Sequence, residues 1–304
     1  MRPPVQVIDT HMHGLGGITG AFLVADEQTA LIETGPKSAV EHVLTGLRDA
    51  AIETLDWIIV THIHLDHAGA AGTLARHFSE ARVAVHEVGV RHLVDPSKLW
   101  SSASRIYGDD MERLWGGIDP LPEERILALA DGDKIELGAT TLQAVDTPGH
   151  AGHHHAYLDV SSGEMFVGDA LGVRLPDVGV MRPATPPPEF DLELAVSSIG
   201  RISELDPTEV HLTHYSSPAT GTNSASPKEV CDEAIEALRT WGTWVEEARS
   251  KTTDLDEVSR LITERSRMAM GQHVTEDAIE RMDQTTSYWM NTAGYMRYFD
   301  KKTK

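Results

Sequence analysis

Residues 61–67 read Thr61-His62-Ile63-His64-Leu65-Asp66-His67 and directly follow the apolar run Trp57-Ile58-Ile59-Val60. Four consecutive apolar residues of this kind predict a strand that is buried on both faces. The small residues of Ala68-Gly69-Ala70-Ala71-Gly72 open a predicted helix, so three histidines and an aspartate lie in a strand-to-helix turn. Imidazole and carboxylate groups this close together can converge on a divalent metal ion. A solvated loop that is merely rich in histidine is the alternative, since the chain contains 16 His.

Three later residues of metal-ligating type weaken the loop alternative, because each follows a predicted strand. They are His150 in Asp146-Thr147-Pro148-Gly149-His150, Asp169 in Val167-Gly168-Asp169-Ala170 and His214 in His211-Leu212-Thr213-His214. Since each of these residues lies at a strand end, one edge of a double sheet can gather all seven side chains.

The complete pattern resembles the signature of the metallo-β-lactamase superfamily, in which a His-x-His-x-Asp-His run is followed by a separate His, Asp and His. The resemblance covers about residues 5–220, and the combined motif is much more specific than any of its parts. It implies an α/β fold, an αββα sandwich with helices outside two sheets. It also implies the ligands: His62, His64 and His150 for one metal ion, Asp66, His67 and His214 for a second, and Asp169 as the bridge.

This division of ligands is similar to that of the glyoxalase II and lactonase branches. Zinc β-lactamases have a cysteine in place of the bridging carboxylate, and the single cysteine, Cys231, stands elsewhere. The resemblance therefore implies two divalent metal ions as cofactors, with zinc ahead of iron or manganese. Such a pair lowers the pKa of a bound water and polarises a carbonyl. We expect a metal-dependent hydrolase whose metal-bound hydroxide attacks an ester, thioester or lactone of a small molecule, with Asp66 as the catalytic side chain.

Other functions use the same ligands. A mononuclear-iron persulfide dioxygenase of this superfamily is an alternative that the motif does not exclude, and a phosphodiesterase or RNA-processing nuclease is compatible with the fold. A flavodiiron-type oxygen reductase needs a flavodoxin domain, for which we expect no room in 304 residues. A non-enzymatic metal-binding or scaffold role would not explain why the chain has a complete set of ligands for two metal ions.

The charge of the chain bears on its partners. It has 26 Lys plus Arg against 47 Asp plus Glu, a formal net charge of −21, and no basic stripe. A surface this acidic repels phosphate backbones, so we expect a small-molecule substrate and no nucleic acid. The chain has no signal-peptide h-region and no uncharged run near the ~18 residues of a membrane span. We therefore expect a cytoplasmic protein without a membrane partner, either a monomer or a homo-oligomer.

Several residues outside the ligand set are candidates for supporting roles. The family usually has an aspartate at the position of Glu33, so the resemblance implies that a longer carboxylate holds the ligand loop here. Tyr215 is a candidate donor to a substrate carbonyl, and His13 a candidate for the pocket wall. His11 shares the metal-like spacing of His13, but the ligand set is complete without either. Residues 153–155 are all His, and we predict exposed loop residues there because side chains alternate along an extended segment.

The periodicity predicts two regions. Residues 1–225 form the predicted catalytic domain, with a strand hairpin at Phe22-Leu23-Val24 and Ala30-Leu31-Ile32, a helix from Ala68 to Phe78, and an amphipathic helical insert at about residues 88–117. Residues 226–304 form a predicted helical C-terminal region, with the capping box Ser226-Pro227-Lys228-Glu229 and later helices near Leu255 to Met268 and Thr275 to Tyr298. We expect the insert and the C-terminal helices to frame the mouth of the pocket.

Overall fold

A computed structural model describes residues 3–215, 224–270 and 274–303 of the chain. The chain divides into two compact units. Unit 1 comprises Met1–Asp146 and His155–Phe166, and unit 2 comprises Thr147–His154 and Val167–Lys304. The predicted boundary near residue 225 is a different division, and it stays a prediction; residues 216–223, just before it, lie outside the described residues.

The described residues form strands and helices in the following order. The strands are β1 (Gln6–Asp9), β2 (Gly20–Ala25), β3 (Thr29–Ile32), β4 (Trp57–Ile59), β5 (Arg82–His86), β6 (Ile126–Leu129), β7 (Lys134–Glu136), β8 (Thr141–Asp146), β9 (His155–Asp159), β10 (Glu164–Gly168) and β11 (Glu209–Leu212). The α-helices are α1 (Val40–Asp49), α2 (Leu65–Ala68), α3 (Ala71–His77), α4 (Val90–Val94), α5 (Ser97–Tyr107), α6 (Met111–Trp115), α7 (Leu192–Glu204), α8 (Pro227–Arg249), α9 (Leu255–Met270), α10 (Glu276–Thr285) and α11 (Tyr288–Lys302).

Unit 1 contains a six-stranded sheet in the order β1-β2-β3-β4-β5-β6. β1, β2 and β3 pair antiparallel, and β3 to β6 pair parallel. A second sheet pairs β7 with β8, β8 with β9 and β9 with β10, all antiparallel. The boundary between the units falls within β10, and β11 belongs to unit 2. The predicted class, a mixed α/β protein with two sheets and C-terminal helices, is confirmed.

The two sheets of unit 1 enclose an apolar core. The rings of Phe22 in β2 and Phe166 in β10 lie 5.4 Å apart, and Ile32, Ile59 and Tyr157 are buried in the same cluster. The other face of the six-stranded sheet carries helices α1 and α3, whose buried residues include Val43, Leu47 and Leu74. Each fully buried side chain of this size stabilises the fold by ~1.5–3 kcal/mol, so these two clusters contribute much of the stability of unit 1.

The helix predicted from Ala68 to Phe78 is broken. A short helix, α2, ends at Ala68, and α3 begins only at Ala71. The backbone N–H of Ala70 donates to the carbonyl of Gly35 at 3.0 Å instead of continuing the hydrogen-bond ladder of α2. This contact between distant parts of the chain ties the turn that carries Asp66 and His67 to the segment after β3.

The predicted insert consists of α4, α5 and α6 and lies between β5 and β6. None of the residues of α5 is buried, whereas α6 buries Met111 and Trp115. In unit 2, the capping box at the start of α8 is present, with Ser226 and Glu229 bonded reciprocally. The helix predicted from Thr275 to Tyr298 is divided into α10 and α11, because the Ser287 hydroxyl accepts the N–H of Met290 at 3.1 Å and starts a new helix. Among the described residues, no helix combines the length and the apolar character that crossing a membrane requires.

Candidate metal centre

Four of the predicted ligands lie together in unit 1, in the turn between β4 and α2. Nε2 of His62 is 2.9 Å from Nδ1 of His64, and Nε2 of His67 is 3.6 Å from Oδ2 of Asp66. The rings of His62 and His67 are 4.1 Å apart between centroids, and both residues are completely buried. Two ligand atoms of a tetrahedral zinc ion are separated by about 3.3 Å when each bond is about 2.0 Å. The pair of nitrogens from His62 and His64 is close to that separation.

The protonation of the ring nitrogens in this turn is set by Glu33. The Thr61 hydroxyl donates to Oε1 of Glu33 at 2.6 Å, which leaves the Thr61 oxygen as the acceptor for Nδ1–H of His62 at 3.0 Å. Oε1 of Glu33 also lies 3.0 Å from Nδ1 of His67 and accepts its proton. Both histidines therefore keep Nε2 as the nitrogen with a lone pair, which is the form that binds a metal.

Glu33 occupies an unusual backbone conformation for this task. Its φ angle is 68°, in the left-handed region that residues other than glycine rarely adopt, and the residue is completely buried. Its N–H donates to the carbonyl of Ile59 at 2.8 Å, which holds the residue against the end of β4. Such strain persists where the surrounding structure fixes it, and it is frequent at functional sites.

The other three predicted ligands lie together in unit 2. Oδ2 of Asp169 is 3.5 Å from Nε2 of His150, and Oδ1 of the same carboxylate is 3.4 Å from Nε2 of His214. All three side chains are buried. The carbonyl of Ala184 accepts Nδ1–H of His150 at 2.9 Å, so Nε2 again carries the lone pair. One carboxylate with a histidine at each oxygen is the donor arrangement that a bridging ligand needs.

Two residues that position this group were not identified from the sequence. Gly149 has φ 132°, and a side chain there would meet the backbone of Ala195 within 2.4 Å, so only glycine fits immediately before His150. The backbone N–H of Asp169 donates to Nε2 of His154 at 3.1 Å, and Nδ1 of His154 lies 2.7 Å from the hydroxyl of Thr147. His154 thus holds the backbone of Asp169. The only signal in the sequence was its place in the histidine run.

The prediction that residues 153–155 are exposed is wrong. His153, His154 and His155 are all less than 10% exposed. In unit 1, Nε2 of His155 is 2.7 Å from Oδ1 of Asp146, and its ring is 4.4 Å from that of His86. His86, Asp146 and His155 have donor atoms close enough to one another for a metal ion. However, Nδ1 of His86 accepts the N–H of Val88 at 3.0 Å, so the neutral ring carries its proton on Nε2, the atom that a metal would need.

The remaining candidates differ in their surroundings. His11 is exposed and stacks on His42 at 4.7 Å, with no predicted ligand in that contact. His13 is partly buried and packs edge to face on Trp115 at 5.4 Å. Burial lowers the pKa of His13, and the Asp66 carboxylate opposes that shift. Tyr215 is partly buried and follows His214 directly; its role as a donor to substrate stays a prediction.

Known proteins share sequence and fold with this chain. A model of the metallo-beta-lactamase superfamily matches residues 14–214. The metallo-beta-lactamase fold-containing protein ST1585 of Sulfurisphaera tokodaii is 28% identical over 196 residues, which are 63% of this chain and 70% of that protein. The crystal structure of an archaeal metallo-beta-lactamase superfamily protein, ST1585 from Sulfolobus tokodaii, matches with a TM-score of 0.69 at 22% identity, over 96% of this chain and 97% of that chain. At this identity, the structural likeness shows the fold alone.

Two further relatives differ in activity. A hydroxyacylglutathione hydrolase of Aeromonas salmonicida is 31% identical over 117 residues, 38% of this chain and 34% of that protein. A coenzyme F420H(2) oxidase of Methanothermobacter marburgensis is 30% identical over 172 residues, 54% of this chain and 37% of that protein. The superfamily model, in contrast, spans more than half of the chain. The chain therefore belongs to the metallo-β-lactamase superfamily.

Proposed function

We propose that this protein is a metal-dependent hydrolase of the ester, thioester or lactone bond of a small molecule. The observation that carries the proposal is the orientation of the ligand histidines. Hydrogen bonds from His62 through Thr61 to Glu33, from His67 to Glu33, and from His150 to Ala184 all use Nδ1. Each bond leaves Nε2 as a metal-binding lone pair. A merely structural cluster has no need for these three histidines to share one tautomer; His64, whose Nδ1 faces Nε2 of His62, is not among them.

The donor set suits two divalent ions, zinc before iron or manganese. The superfamily signature assigns His62, His64 and His150 to one ion, Asp66, His67 and His214 to the other, and Asp169 to both. Imidazole and carboxylate are ligands that these metals share. When bound, the two ions supply a nucleophile from water at neutral pH and polarise the substrate carbonyl.

The chain's own residues supply positioning and proton transfer. Asp66 is the proposed catalytic residue, because its side chain is 18% exposed and can exchange a proton with substrate or solvent while Oδ2 lies near His67. Glu33 and Thr61 are completely buried and orient the ligands. The hydroxyacylglutathione hydrolase among the relatives supports acyl transfer to water as the reaction. A glyoxalase II-like or lactonase-like activity is the form of this reaction that we favour.

One set of measurements on the purified protein tests the proposal. We expect about two metal ions per chain and turnover of at least one thioester, ester or lactone from a small panel that also contains phosphodiesters and β-lactams. A chelator should abolish turnover, and zinc should restore it. A single iron ion with oxygen consumption would indicate the persulfide dioxygenase instead. Cleavage of phosphodiesters alone would indicate a nuclease, against the net charge of −21.

A further inference from the structure

Three aromatic side chains of unit 1 pack together near the turn that carries the predicted ligands His62, His64, Asp66 and His67. We call this turn the ligand turn. The indole of Trp115 in α6 contacts the ring of His13 edge to face at 5.4 Å and the ring of Tyr107 in the same way at 5.1 Å. Trp115 is 5% exposed. We call His13, Tyr107 and Trp115 the aromatic cluster.

The aromatic cluster contains polar atoms without partners. Nε1 of Trp115 and both ring nitrogens of His13 are buried and have no hydrogen-bond partner among the described residues. A buried donor left unsatisfied costs about 1–3 kcal/mol, and the large majority of buried polar groups are paired. An ordinary apolar core explains the ring contacts but not three such nitrogens in one place. A ligand with hydrogen-bonding groups would supply these partners.

Hydrogen bonds hold the aromatic cluster beside the ligand turn. The Ser38 hydroxyl donates to the carbonyl of Leu114 at 2.6 Å, next to Trp115. A few residues earlier, Thr34 N–H donates to the carbonyl of His67 at 2.9 Å. The segment from Thr34 to Ser38 thus connects α6 to the turn that carries Asp66. Consistent with this nearness, burial raises the pKa of Tyr107 and the Asp66 carboxylate raises it further.

Hydrogen bonds within the loop that carries His13 fix its conformation without a ligand. Oδ1 of Asp9 accepts the N–H of His11 at 2.9 Å, and Oδ2 accepts the N–H of Gly17 at 2.6 Å. His13 itself has φ 56° and ψ 20°, the left-handed conformation. Asp9 thus fixes both sides of the loop around His13, and backbone strain of this kind is frequent at functional sites.

Access to the aromatic cluster depends on α5. This helix ends at Tyr107 and buries none of its residues. Leu99, near the start of α5, packs against the apolar core, whereas Tyr107 at the other end is only partly buried, so a displacement that admits a ligand is expected at the Tyr107 end. Trp115, in contrast, is anchored in α6.

We propose that the aromatic cluster binds the acyl part of the substrate, and that this part is a planar group carrying a hydrogen-bond acceptor for the indole N–H of Trp115. The inference rests on the proposed hydrolysis at the neighbouring metal ligands. Flat rings match the faces and edges of His13, Tyr107 and Trp115, and the acceptor removes the penalty of the buried indole N–H.

Phenylacetyl and pyridylacetyl thioesters test this inference, because the rings have the same shape and only pyridine carries an acceptor. At pH 8, we expect one of the three pyridyl isomers to be preferred over phenyl about 10-fold in kcat/KM, the effect of one hydrogen bond. Trp115→Phe keeps an aromatic ring but removes the N–H, so the ratio should fall to about 1. Trp289→Phe, a change of a 41% exposed tryptophan in α11, is the control and should leave the ratio unchanged. An unchanged ratio in a folded Trp115→Phe protein would overturn the inference.

Binding of the product acids separates this inference from the proposed function. Calorimetry should show pyridylacetate binding more tightly than phenylacetate, with the difference lost in Trp115→Phe. If no thioester is hydrolysed but this difference is found, the hydrolase proposal fails and the binding site stands. If thioesters are hydrolysed but neither turnover nor binding depends on the indole N–H, the binding site fails alone. Should Trp115→Phe not fold, Tyr107→Leu at the partly buried end of α5 provides the second variant, and it should reduce the preference for phenylacetyl over acetyl thioester. An unchanged preference would count against the aromatic cluster.

Discussion

Oε1 of Glu33 lies 3.0 Å from Nδ1 of His67, and both side chains are completely buried. The same oxygen accepts the Thr61 hydroxyl, so one carboxylate sets the tautomers of His67 and, through Thr61, of His62. A carboxylate that receives the second ring proton raises the basicity of a ligand histidine. The metal affinity is thus expected to depend on a residue outside the predicted ligand set.

Glu33→Gln should lower the affinity for metal about 10- to 100-fold, because the amide keeps the size of the side chain but loses the charge. The measurement is competition with a chelator at matched protein concentration, with circular dichroism to check folding. Glu41→Gln, an exposed change in α1, is the control and should leave the affinity unchanged. Glu33→Asp, the residue that the family usually has, should retain more affinity than Glu33→Gln. Wild-type affinity in a folded Glu33→Gln protein would show that the hydrogen bond to His67 does not tune the site.

Asp66→Asn should retain the fold and much of the metal held by His62 and His64, while kcat falls at least about 100-fold. The change keeps the size of the side chain and removes its charge and its capacity to move a proton. The effect on KM should be smaller if Asp66 acts mainly in the transition state. Turnover, metal content and folding are measured on one preparation, with Asp49→Asn at an exposed position of α1 as the control. Full activity in the Asp66→Asn protein would place the chemistry elsewhere.

The ligand turn and the fold class were accessible from the sequence because their signals are local. The apolar run of β4 and the histidines directly after it lie within eleven residues, and period and spacing alone place them in a strand and the turn that follows. The short edge strands β1 and β6 were not predicted. Each has only four residues, and pairing along an edge depends on the neighbouring strand more than on the strand's own composition.

The errors have a common cause in contacts between distant residues. The break before α3 depends on the hydrogen bond from the N–H of Ala70 to the carbonyl of Gly35, which no local sequence pattern predicts. The burial of His155 depends on its N–H bond to the carbonyl of Thr61 and on the carboxylate of Asp146. Alternation along a strand predicts which side chains share a face, but not what covers that face.

Asp119 should make the stability of unit 1 depend on pH in the acid range. Burial would raise the pKa of its carboxyl, but hydrogen bonds from Arg76, Thr73 and Lys37 outweigh burial and hold the pKa well below its usual range. An aspartate whose pKa is lowered by folding stabilises the protein above its unfolded pKa of about 3.9, and this contribution is lost as the pH falls toward the folded pKa.

We therefore expect Asp119→Asn to destabilise the protein by about 1–3 kcal/mol at pH 7, and the difference from the wild type to shrink steadily below about pH 4. Urea denaturation at a series of pH values measures both quantities. Asp110→Asn is the control, since the Asp110 side chain is 60% exposed and its ion pair with Arg113 should contribute at most about 1 kcal/mol. A difference between Asp119→Asn and the wild type that stays constant down to pH 2 would contradict the role of the charge.

Arg182 should be a sensitive polar position of unit 2. Its side chain is 1% exposed, and the guanidinium donates to Asp283, to the carbonyls of Met282 and Thr286, and to the hydroxyl of Tyr288. The guanidinium carbon also lies 4.1 Å from the centre of the Tyr288 ring. Arg182, in the loop before α7, thus donates hydrogen bonds to the end of α10 and to the start of α11.

Arg182→Met keeps the length of the aliphatic part but removes the donor to the carbonyls of Met282 and Thr286 and to Asp283, which keeps only its ion pair with Arg267. We expect a loss of about 2–5 kcal/mol, because Arg182 is 1% exposed and its removal takes a hydrogen bond from buried carbonyls as well as the ion pair with the 24% exposed Asp283. Arg182→Lys should recover only part of that loss, because an ammonium cannot reach all four acceptors of the planar guanidinium. Urea denaturation measures the changes, with Arg265→Met as the control, since Arg265 and Glu247 form an ion pair with 35% and 54% exposed side chains. Breaking that pair should change stability by at most about 1 kcal/mol. Equal losses in the two Met variants would mean that the hydrogen bonds of Arg182 contribute no more than a surface ion pair.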